Sequence, residues 1–336
     1  MPDRFRDVLV VDLLGGLGDL CMVLPSVHAL ARRNPGAALR VLTHAPGDAL
    51  LRTDPAVSEV VRAAKGHERA AVVAELDRRR PDLVVCTTRY DGIAEEIESR
   101  GMRSVTDLWR RPPADEPVAR RYWRILAAEG LVDGAYRPPA LHLTAAERRA
   151  GAAALHRLAP TGAPVVLVPE AGMAVKRWPH WRALAEELAR AGAPALVVGE
   201  RDPAPEWAAG LARPVPPTDL RSLAALFAAV DGRGGAVVGP DTGPVRVAAA
   251  VGARTVGLFG PTLAARYGLD APAVDLQGLP GCPHRRPTAI TEQVCWWEAR
   301  CPLSPEGPAC MADIGPDAVG AALSAAIGVT TSPADA

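Results

Sequence analysis

The residues with the clearest chemical potential in this chain follow a Val-rich apolar run near position 238. Asp241, Thr242 and Gly243 form a small-residue turn after that run, and the Ala-rich segment that begins with Pro244 predicts a helix. A strand that passes through such a turn into a helix presents free backbone N–H groups and the positive end of the helix dipole, which together bind anions. An ordinary turn of an α/β sheet is the alternative. We expect this turn, with Arg246, to surround a phosphorylated ligand.

A second set of charged residues lies in and after the glycine-bearing loop 169–179. Lys176 can reach a phosphate as a point charge, and Arg177 can bind one through two parallel hydrogen bonds. Both could instead be solvated loop cations. Glu200 follows the next predicted strand, where a carboxylate can accept hydrogen bonds from ribose hydroxyls or cap a helix. These three side chains therefore predict a nucleotide-binding site.

A glycine-rich turn near the start of the chain links a predicted strand to a predicted helix. Gly16 and Gly18 match two of the three glycines of a dinucleotide-binding fingerprint, but Cys21 replaces the third, so the match is weak. Asp19 opens the helix, where it can act as a general base or as a helix cap. Arg89 lies at the carboxyl end of a later strand, the edge at which open α/β sheets bind ligands. We expect Gly16, Gly18 and Arg89 to line a cleft.

The six cysteines fall into two groups. Cys21 and Cys86 lie in apolar patterns that are typical of core residues. The other four lie in a loop with little predicted regular structure: Cys282, Cys295, Cys301 and Cys310. Four thiols so close together predict a structural zinc or iron site that staples the loop. Unpaired thiols and disulfides are the alternatives, and disulfides fit a cytoplasmic protein poorly.

The amino-acid composition limits the class to which this protein can belong. The 336 residues include 49% apolar and 23% charged residues, which is typical of a soluble protein with room for two domains. Because 38 basic residues balance 38 acidic ones, no nucleic-acid partner is expected. No apolar run approaches the roughly 18 residues of a membrane span, and the first residues do not resemble a signal peptide. These features predict a cytoplasmic protein without an integral membrane segment.

Strands and helices alternate along most of the chain, and the alternation restarts near 160–162. It predicts an α/β protein with two Rossmann-like, doubly wound domains that face each other across a cleft. The first would span 1–160. The second would span 161–329 and include the Cys-rich loop at about 280–311. Residues 330–336 read as a disordered tail.

Four motifs occur in the order of a known family and together cover nearly the whole chain. They are Gly16-Leu17-Gly18-Asp19 with Leu24-Pro25, Lys176-Arg177-Trp178-Pro179, Asp241-Thr242-Gly243-Pro244 and Leu258-Phe259-Gly260-Pro261-Thr262. The set resembles the ADP-heptose heptosyltransferases, glycosyltransferase family 9, which have the GT-B fold. The resemblance implies that the first domain holds the acceptor, that the second holds the nucleotide sugar, and that transfer inverts the anomeric carbon without a catalytic metal. Some relatives carry cysteine-bound iron.

The same resemblance implies roles for individual residues. Asp19 resembles the general base of the family, Lys176 the lysine near the pyrophosphate and Glu200 the ribose-binding acid. The turn 241–243 resembles the segment that holds sugar and phosphate. Arg246 departs from the family, which usually has a histidine at this position. Arginine keeps a positive charge there but cannot change its protonation near neutral pH.

The sequence therefore predicts an inverting glycosyltransferase. It would transfer a heptose from ADP-heptose to a hydroxyl of a glycan, a protein or a small natural product, with Asp19 as general base. Because no Asp-x-Asp pair lies beside the site, we expect fixed cations to stabilise the leaving diphosphate and no cofactor in catalysis. Three alternatives remain open: a non-catalytic nucleotide-sugar-binding or scaffold protein, a GT-B transferase with another nucleotide sugar, and a dehydrogenase.

Overall fold

The protein consists of two compact units, Met1–Thr144 and Ala145–Ala336. The computed structural model describes residues 4–199 and 205–327. Each unit contains one sheet covered by helices, so the predicted α/β class with two Rossmann-like sheets is confirmed. The predicted tail after residue 329 lies outside the described residues.

The first unit contains a five-stranded sheet in which all neighbouring strands are parallel, in the order β3-β2-β1-β4-β5. Its elements are β1 (Asp7–Asp12), α1 (Leu17–Arg33), β2 (Ala38–His44), α2 (Gly47–Leu51), β3 (Glu59–Ala63), α3 (Glu68–Arg78), β4 (Leu83–Cys86), α4 (Ile93–Ser99), β5 (Arg103–Val105) and α5 (Val118–Ala128).

The second unit contains a six-stranded parallel sheet in the order β11-β10-β9-β6-β7-β8. Its elements are α6 (Ala145–Leu158), β6 (Val165–Leu167), α7 (Trp181–Arg190), β7 (Ala195–Val197), β8 (Arg213–Pro214), α8 (Leu220–Gly232), β9 (Ala236–Pro240), α9 (Gly243–Ala250), β10 (Thr255–Phe259), α10 (Ala264–Tyr267), β11 (Val274–Gln277), α11 (Ala309–Ala312) and α12 (Pro316–Ile327).

The central strands are buried along their whole length. Every residue of β1, β4, β6, β9 and β10 is buried, as expected for parallel strands with helices on both faces. The Val-rich run identified near position 238 is strand β9. The sequence did not predict α2, α4 or β11, which are short.

The boundary between the units lies before α6, whereas the sequence placed it near 160–162. The reason is a close helix–helix contact. A Cβ atom added at Gly151 of α6 would lie 2.3 Å from the carbonyl oxygen of Ala225 in α8, so only glycine permits this approach. Since α6 packs against α8, it belongs to the second unit.

Both sheets contain a topological switch point, where successive strands begin to be added on the opposite side of the first strand. This point lies between β1 and β4 in the first unit and between β6 and β9 in the second. Open α/β sheets bind ligands outside the carboxyl ends of the strands at such points. Among the described helices, none is long and apolar enough to cross a membrane.

Candidate active site

The turn predicted to bind phosphate follows β9, beside the switch point of the second sheet. Thr242 precedes the first residue of α9 in extended conformation, and Pro244 lies in the first turn of the helix. The hydroxyl oxygen of Thr242 is buried and finds no hydrogen-bond partner among the described residues. Because the first N–H groups of a helix also lack intrahelical partners, this end of α9 offers several hydrogen-bond donors to an anion.

Asp241 lies in this turn, but its carboxylate is directed into the protein. The residue is 7% exposed. Its Oδ1 atom accepts hydrogen bonds from Nε and Nη2 of Arg246 at 3.1 and 2.6 Å. Its Oδ2 atom accepts from Nζ of Lys176 at 3.0 Å and from the hydroxyl of Thr262 at 2.9 Å. Burial alone would raise the pKa of Asp241, but Arg246 and Lys176 hold it far below its usual range. Asp241 therefore organises the two cations and remains ionised.

Lys176 is held by two hydrogen bonds and one ring contact. Its ammonium group donates to the carbonyl oxygen of Asp241 at 2.8 Å as well as to the carboxylate. The same nitrogen lies 5.6 Å from the ring centroid of Trp296. The side chain is 17% exposed, so its charge is fixed in place and still accessible. These contacts join the loop after β6 to the turn after β9, across the switch point.

Arg246 was predicted to face a phosphate, and the structure places it differently. The residue is 7% exposed, and its guanidinium group donates to Asp241 and to the carbonyl oxygen of Tyr267. Arg246 thus supports Asp241 from inside the unit. Arg177 is exposed, as expected for a solvated loop cation. Glu200, the predicted ribose ligand, lies outside the described residues.

The glycine-rich turn of the first unit lies between β1 and α1. Gly15 has a φ of +114°, a conformation that favours glycine, and Gly16 is the N-cap of α1. Asp19 is the third residue of the helix, and its Oδ2 atom accepts a hydrogen bond from the N–H of Gly16 at 3.2 Å. Asp19 is half-buried, with Gly18 directly before it. The acid therefore stabilises the helix start and remains reachable from solvent.

Two further residues of the first unit bear on the predicted cleft. Arg89 is exposed, and its guanidinium group pairs with Asp107 at 3.0 Å. Asp12, which was not among the predicted site residues, ends β1 and carries a buried carboxyl group. Burial and the charge of Asp19 raise the pKa of Asp12 to about 7. In the sequence, Asp12 stands out as an acidic residue within an otherwise apolar run, and this position could have indicated a buried carboxyl group.

The four cysteines of the second unit line one cavity of about 20 Å³, so the sequence correctly placed them together. They are Cys282, Cys295, Cys301 and Cys310. All are free thiols. Among the described residues, however, no three histidine, cysteine, aspartate or glutamate side chains are placed to hold a metal ion. The predicted zinc or iron site is therefore not supported.

The loop that carries these thiols is instead fixed by a buried cation. Arg285 lines the same cavity, and its guanidinium group donates to the carbonyl oxygens of Gly260, Gly278, Leu279 and Pro280 at 2.7 to 3.1 Å. The guanidinium group of Arg285 therefore holds the loop closed, and its positive charge would repel a metal cation in the cavity.

The tryptophan pair of this loop divides between two environments. Trp296 is buried beneath Lys176, whereas Trp297 is 73% exposed. Trp296 therefore helps to pack the loop, whereas Trp297 does not.

Comparisons with known proteins agree with this architecture. Residues 83–281 match the model of a family described as glycosyltransferase family 9 (heptosyltransferase). The structure of a family 9 glycosyl transferase from Veillonella parvula aligns with a TM-score of 0.78 and 16% identity, over 98% of this chain and 99% of the other. The ADP-heptose lps heptosyltransferase II of E. coli aligns with a TM-score of 0.68 and 20% identity, over 96% and 98%.

A third solved structure contains a nucleotide sugar. E. coli heptosyltransferase WaaC with ADP-2-deoxy-2-fluoro heptose aligns with a TM-score of 0.63 and 17% identity, over 94% of this chain and 98% of the other. At these identities the alignments show a shared fold. A search of curated proteins gave no match.

Proposed function

Because the chain belongs to glycosyltransferase family 9, the heptosyltransferase family, we propose that it transfers a heptose from an ADP-activated donor to an acceptor hydroxyl with inversion at the anomeric carbon. The acceptor would be a glycan, a protein or a small natural product. In this proposal the second unit binds the donor, and the first unit binds the acceptor.

One observation carries the proposal: Lys176 and Asp241 are joined at the switch point of the second sheet, beside the start of α9. A diphosphate leaving group gains negative charge as the bond to the sugar breaks. The ammonium group of Lys176 and the first N–H groups of α9 would stabilise that charge. Since Asp241 holds Lys176 before the donor arrives, little reorganisation is needed at the moment of transfer.

Arg246 would act through Asp241 and not by direct contact with phosphate. Its guanidinium group keeps Asp241 ionised and in position. Arginine stays charged at all relevant pH values, so this support does not depend on pH. The histidine that the family usually has at this position would behave differently.

Asp19 would remove the proton from the acceptor hydroxyl. Its carboxylate is half-buried at the start of α1 and near the switch point of the first sheet, where ligands of such sheets bind. A positioned general base typically contributes about 10²–10⁴-fold to the rate. The hydrogen bond from Gly16 keeps the carboxylate oriented.

A second candidate is a nucleotide-sugar-binding protein without turnover. The contact between Asp19 and Gly16 favours it, because capping the helix start accounts for an acid at the third helix position without any catalytic role. In that case Asp19 would matter for stability alone.

The donor site is tested first by calorimetric titration of ADP, UDP and GDP. We expect ADP to bind best and Lys176→Ala to weaken it by ~10-fold or more, about 1.4 kcal/mol. Arg182→Ala is the matched control, because Arg182 is an exposed cation of α7 paired with Glu186. Preference for UDP or GDP would overturn the ADP-heptose donor. If no nucleotide binds, the donor site itself is wrong.

The role of Asp19 is tested by release of ADP from ADP-heptose with water as acceptor. Asp19→Asn keeps an oxygen that can accept from Gly16, whereas Asp19→Ala does not. A base predicts that both variants lose about 10²–10⁴-fold in kcat. A cap predicts that Asn retains activity and that only Ala loses stability. The anomeric configuration of the sugar, followed by proton NMR during turnover, tests inversion.

A further inference from the structure

The loop of residues 278–308, between β11 and α11, carries the tryptophan pair and three of the four cysteines of the second unit. This thiol loop contacts the edge of the sheet at which Asp241 lies, and it does so at three places. Each place is linked to one of three side chains that donate hydrogen bonds to Asp241, namely Thr262, Arg246 and Lys176. The loop therefore bears on the proposed donor site.

The first place is next to Thr262, whose hydroxyl donates to the carboxylate of Asp241 at 2.9 Å. Gly260 lies two residues earlier, and its carbonyl oxygen accepts hydrogen bonds from Arg285 of the thiol loop at 2.7 and 3.1 Å. The same guanidinium group binds three carbonyl oxygens of its own loop. Arg285 thus ties the thiol loop to the segment that carries Thr262.

The second place is next to Arg246. The carbonyl oxygen of Tyr267 accepts a hydrogen bond from Arg246, and the hydroxyl of the same tyrosine donates to the carbonyl oxygen of Pro287 at 3.2 Å. Pro287 belongs to the thiol loop, and Tyr267 is buried. One buried tyrosine therefore joins this loop to the arginine that supports Asp241.

The third place is a direct contact between Trp296 and Lys176. The ammonium nitrogen lies 5.6 Å from the ring centroid, within the range of a cation–π interaction. Trp296 is 6% exposed, and its main-chain N–H donates to the carbonyl oxygen of Gln293 at 2.9 Å. Gln293 is buried too, and its Oε1 atom accepts from the N–H of Arg286 at 2.7 Å. The loop itself therefore fixes the ring in place.

An aromatic ring holds a lysine in a way that a carboxylate cannot. A lysine ammonium group has three hydrogen-bond donors, and Lys176 directs hydrogen bonds to two oxygens of Asp241. The ring attracts the ammonium through its quadrupole but has no net charge, so it restrains the side chain without cancelling the positive charge. Because the stem of lysine is flexible, restraint before the ligand arrives lowers the entropy lost on binding.

We propose that Trp296 is a positioning residue of the donor site. Its ring holds the ammonium group of Lys176 where the diphosphate of the donor binds, and the thiol loop fixes the ring there. This inference rests on the function proposed above, because it takes Lys176 as the residue that binds the diphosphate. The thiol loop is then a part of the donor site.

Calorimetric titration of ADP tests the contact with substitutions at Trp296. Trp296→Leu removes the ring and should weaken ADP binding about fivefold, the loss expected for one cation–π contact. Trp296→Phe keeps a ring and should retain most of the affinity. Trp297→Leu is the matched control, because Trp297 is 73% exposed and its ring N–H donates to the carbonyl oxygen of Thr291. It should bind ADP as the wild type does.

Lys176→Met and adenosine separate positioning of the lysine from packing of the loop. In the Lys176→Met background, Trp296→Leu should cause no further loss of ADP affinity. Adenosine lacks the diphosphate, so its affinity, measured by NMR titration, should be unchanged in Trp296→Leu. Losses that add to that of Lys176→Met, or equal weakening of ADP and adenosine, would show that Trp296 acts through packing and would overturn the proposal.

Urea unfolding shows whether each variant is folded. If Trp296→Leu does not fold, Trp296→Phe takes its place: its weaker ring predicts a smaller loss of ADP affinity, which again vanishes with Lys176→Met. If the wild type binds no ADP, the proposed transferase function fails, and the role of Trp296 fails with it. If the wild type binds ADP but the two substitutions are additive, the proposed function stands and only this inference is overturned.

Discussion

Lys176 donates hydrogen bonds to both the main-chain carbonyl oxygen and the carboxylate of Asp241, at 2.8 and 3.0 Å. The two residues are 65 positions apart in the chain, and adjacent strands β6 and β9 bring them together. This contact orders the loop that precedes α7 and leaves part of the lysine side chain accessible. It makes Asp241 the residue on which Lys176 and Arg246 of the second unit depend.

Loss of the Asp241 charge should cost much more stability than loss of Lys176. Asp241→Asn leaves Arg246 buried without its counter-charge, and breaking a buried pair in this way costs about 3–5 kcal/mol. Lys176→Met leaves Asp241 paired with Arg246, so we expect about 1–3 kcal/mol. Urea denaturation measures both. Equal losses would show that Arg246 does not depend on Asp241. ADP affinity separates a role in stability from a role in binding. Lys176→Met should remain folded, but its affinity for ADP should be lower than that of the wild type.

Arg246→His should make the stability of the second unit sensitive to pH. A histidine here gains Asp241 as a partner, so its pKa in the folded state rises above the unfolded value of about 6.5. Its stabilisation is therefore complete below about pH 6.5 and is lost as the pH rises through the folded value. The free energy of unfolding should therefore fall relative to wild type as the pH rises from about 6.5 through the folded value.

Arg246→Lys is the control, because lysine stays charged over this range. Burial also raises the pKa of Asp275 to about 7. Because Asp275 is present in the wild type and in both variants, its titration contributes to all three pH profiles. Equal pH dependence in the His and Lys variants would contradict the dependence of Asp241 on the charge at position 246.

Single strands, turns and loops could be predicted from the sequence better than the contacts that their side chains make with one another. The turn at Asp241 and the loop at Lys176 were recognised as ends of strands because buried parallel strands and small-residue turns have local signatures. That the acid binds the lysine depends on β9 lying beside β6, which is a property of strand order and not of local sequence. Asp12 was missed for the same reason: its partner Thr87 is 75 positions away.

The cysteine loop shows a different limit of sequence analysis. Proximity of the thiols was predicted correctly, but the group that fixes the loop is Arg285, which the sequence presents as one more loop cation. Its hydrogen bonds go to main-chain carbonyl oxygens, and no residue type marks these in a sequence. Metal, free thiols and disulfides had the same sequence pattern, so only the arrangement of side chains could separate them.

Gly151→Ala should destabilise the second unit because α6 lies against α8 at this residue. The added Cβ atom would lie 2.3 Å from the carbonyl oxygen of Ala225, a contact that requires the helices to move apart. Overpacking of this kind costs about 1–3 kcal/mol. Gly232→Ala is the matched control in α8, where an added Cβ atom meets nothing within 4 Å. It should be neutral or slightly stabilising. Thermal and urea unfolding compare the two, and equal effects would contradict close packing of the helices.

The four thiols of the second unit should react with iodoacetamide in an order set by burial. Burial raises the pKa of Cys310 to about 12, and the thiolate is the nucleophile, so Cys310 should stay unmodified until the protein unfolds. Burial also raises the pKa of Cys295, which is half-buried and should react at an intermediate rate. Buried Cys86 serves as an internal control for slow reaction.

Peptide mass spectrometry over time, with and without a reductant or a chelator, distinguishes the three states of these thiols. Free thiols predict that neither additive changes the order of modification. A disulfide predicts that two cysteines react only after reduction. A bound metal predicts that all four are protected until the chelator is added, because each ligand is a thiolate held by the ion. Protection by a metal would require Arg285 to move away from the cavity. In that case Arg285→Met should leave the stability of the metal-bound protein unchanged and should lower stability only after the metal is chelated.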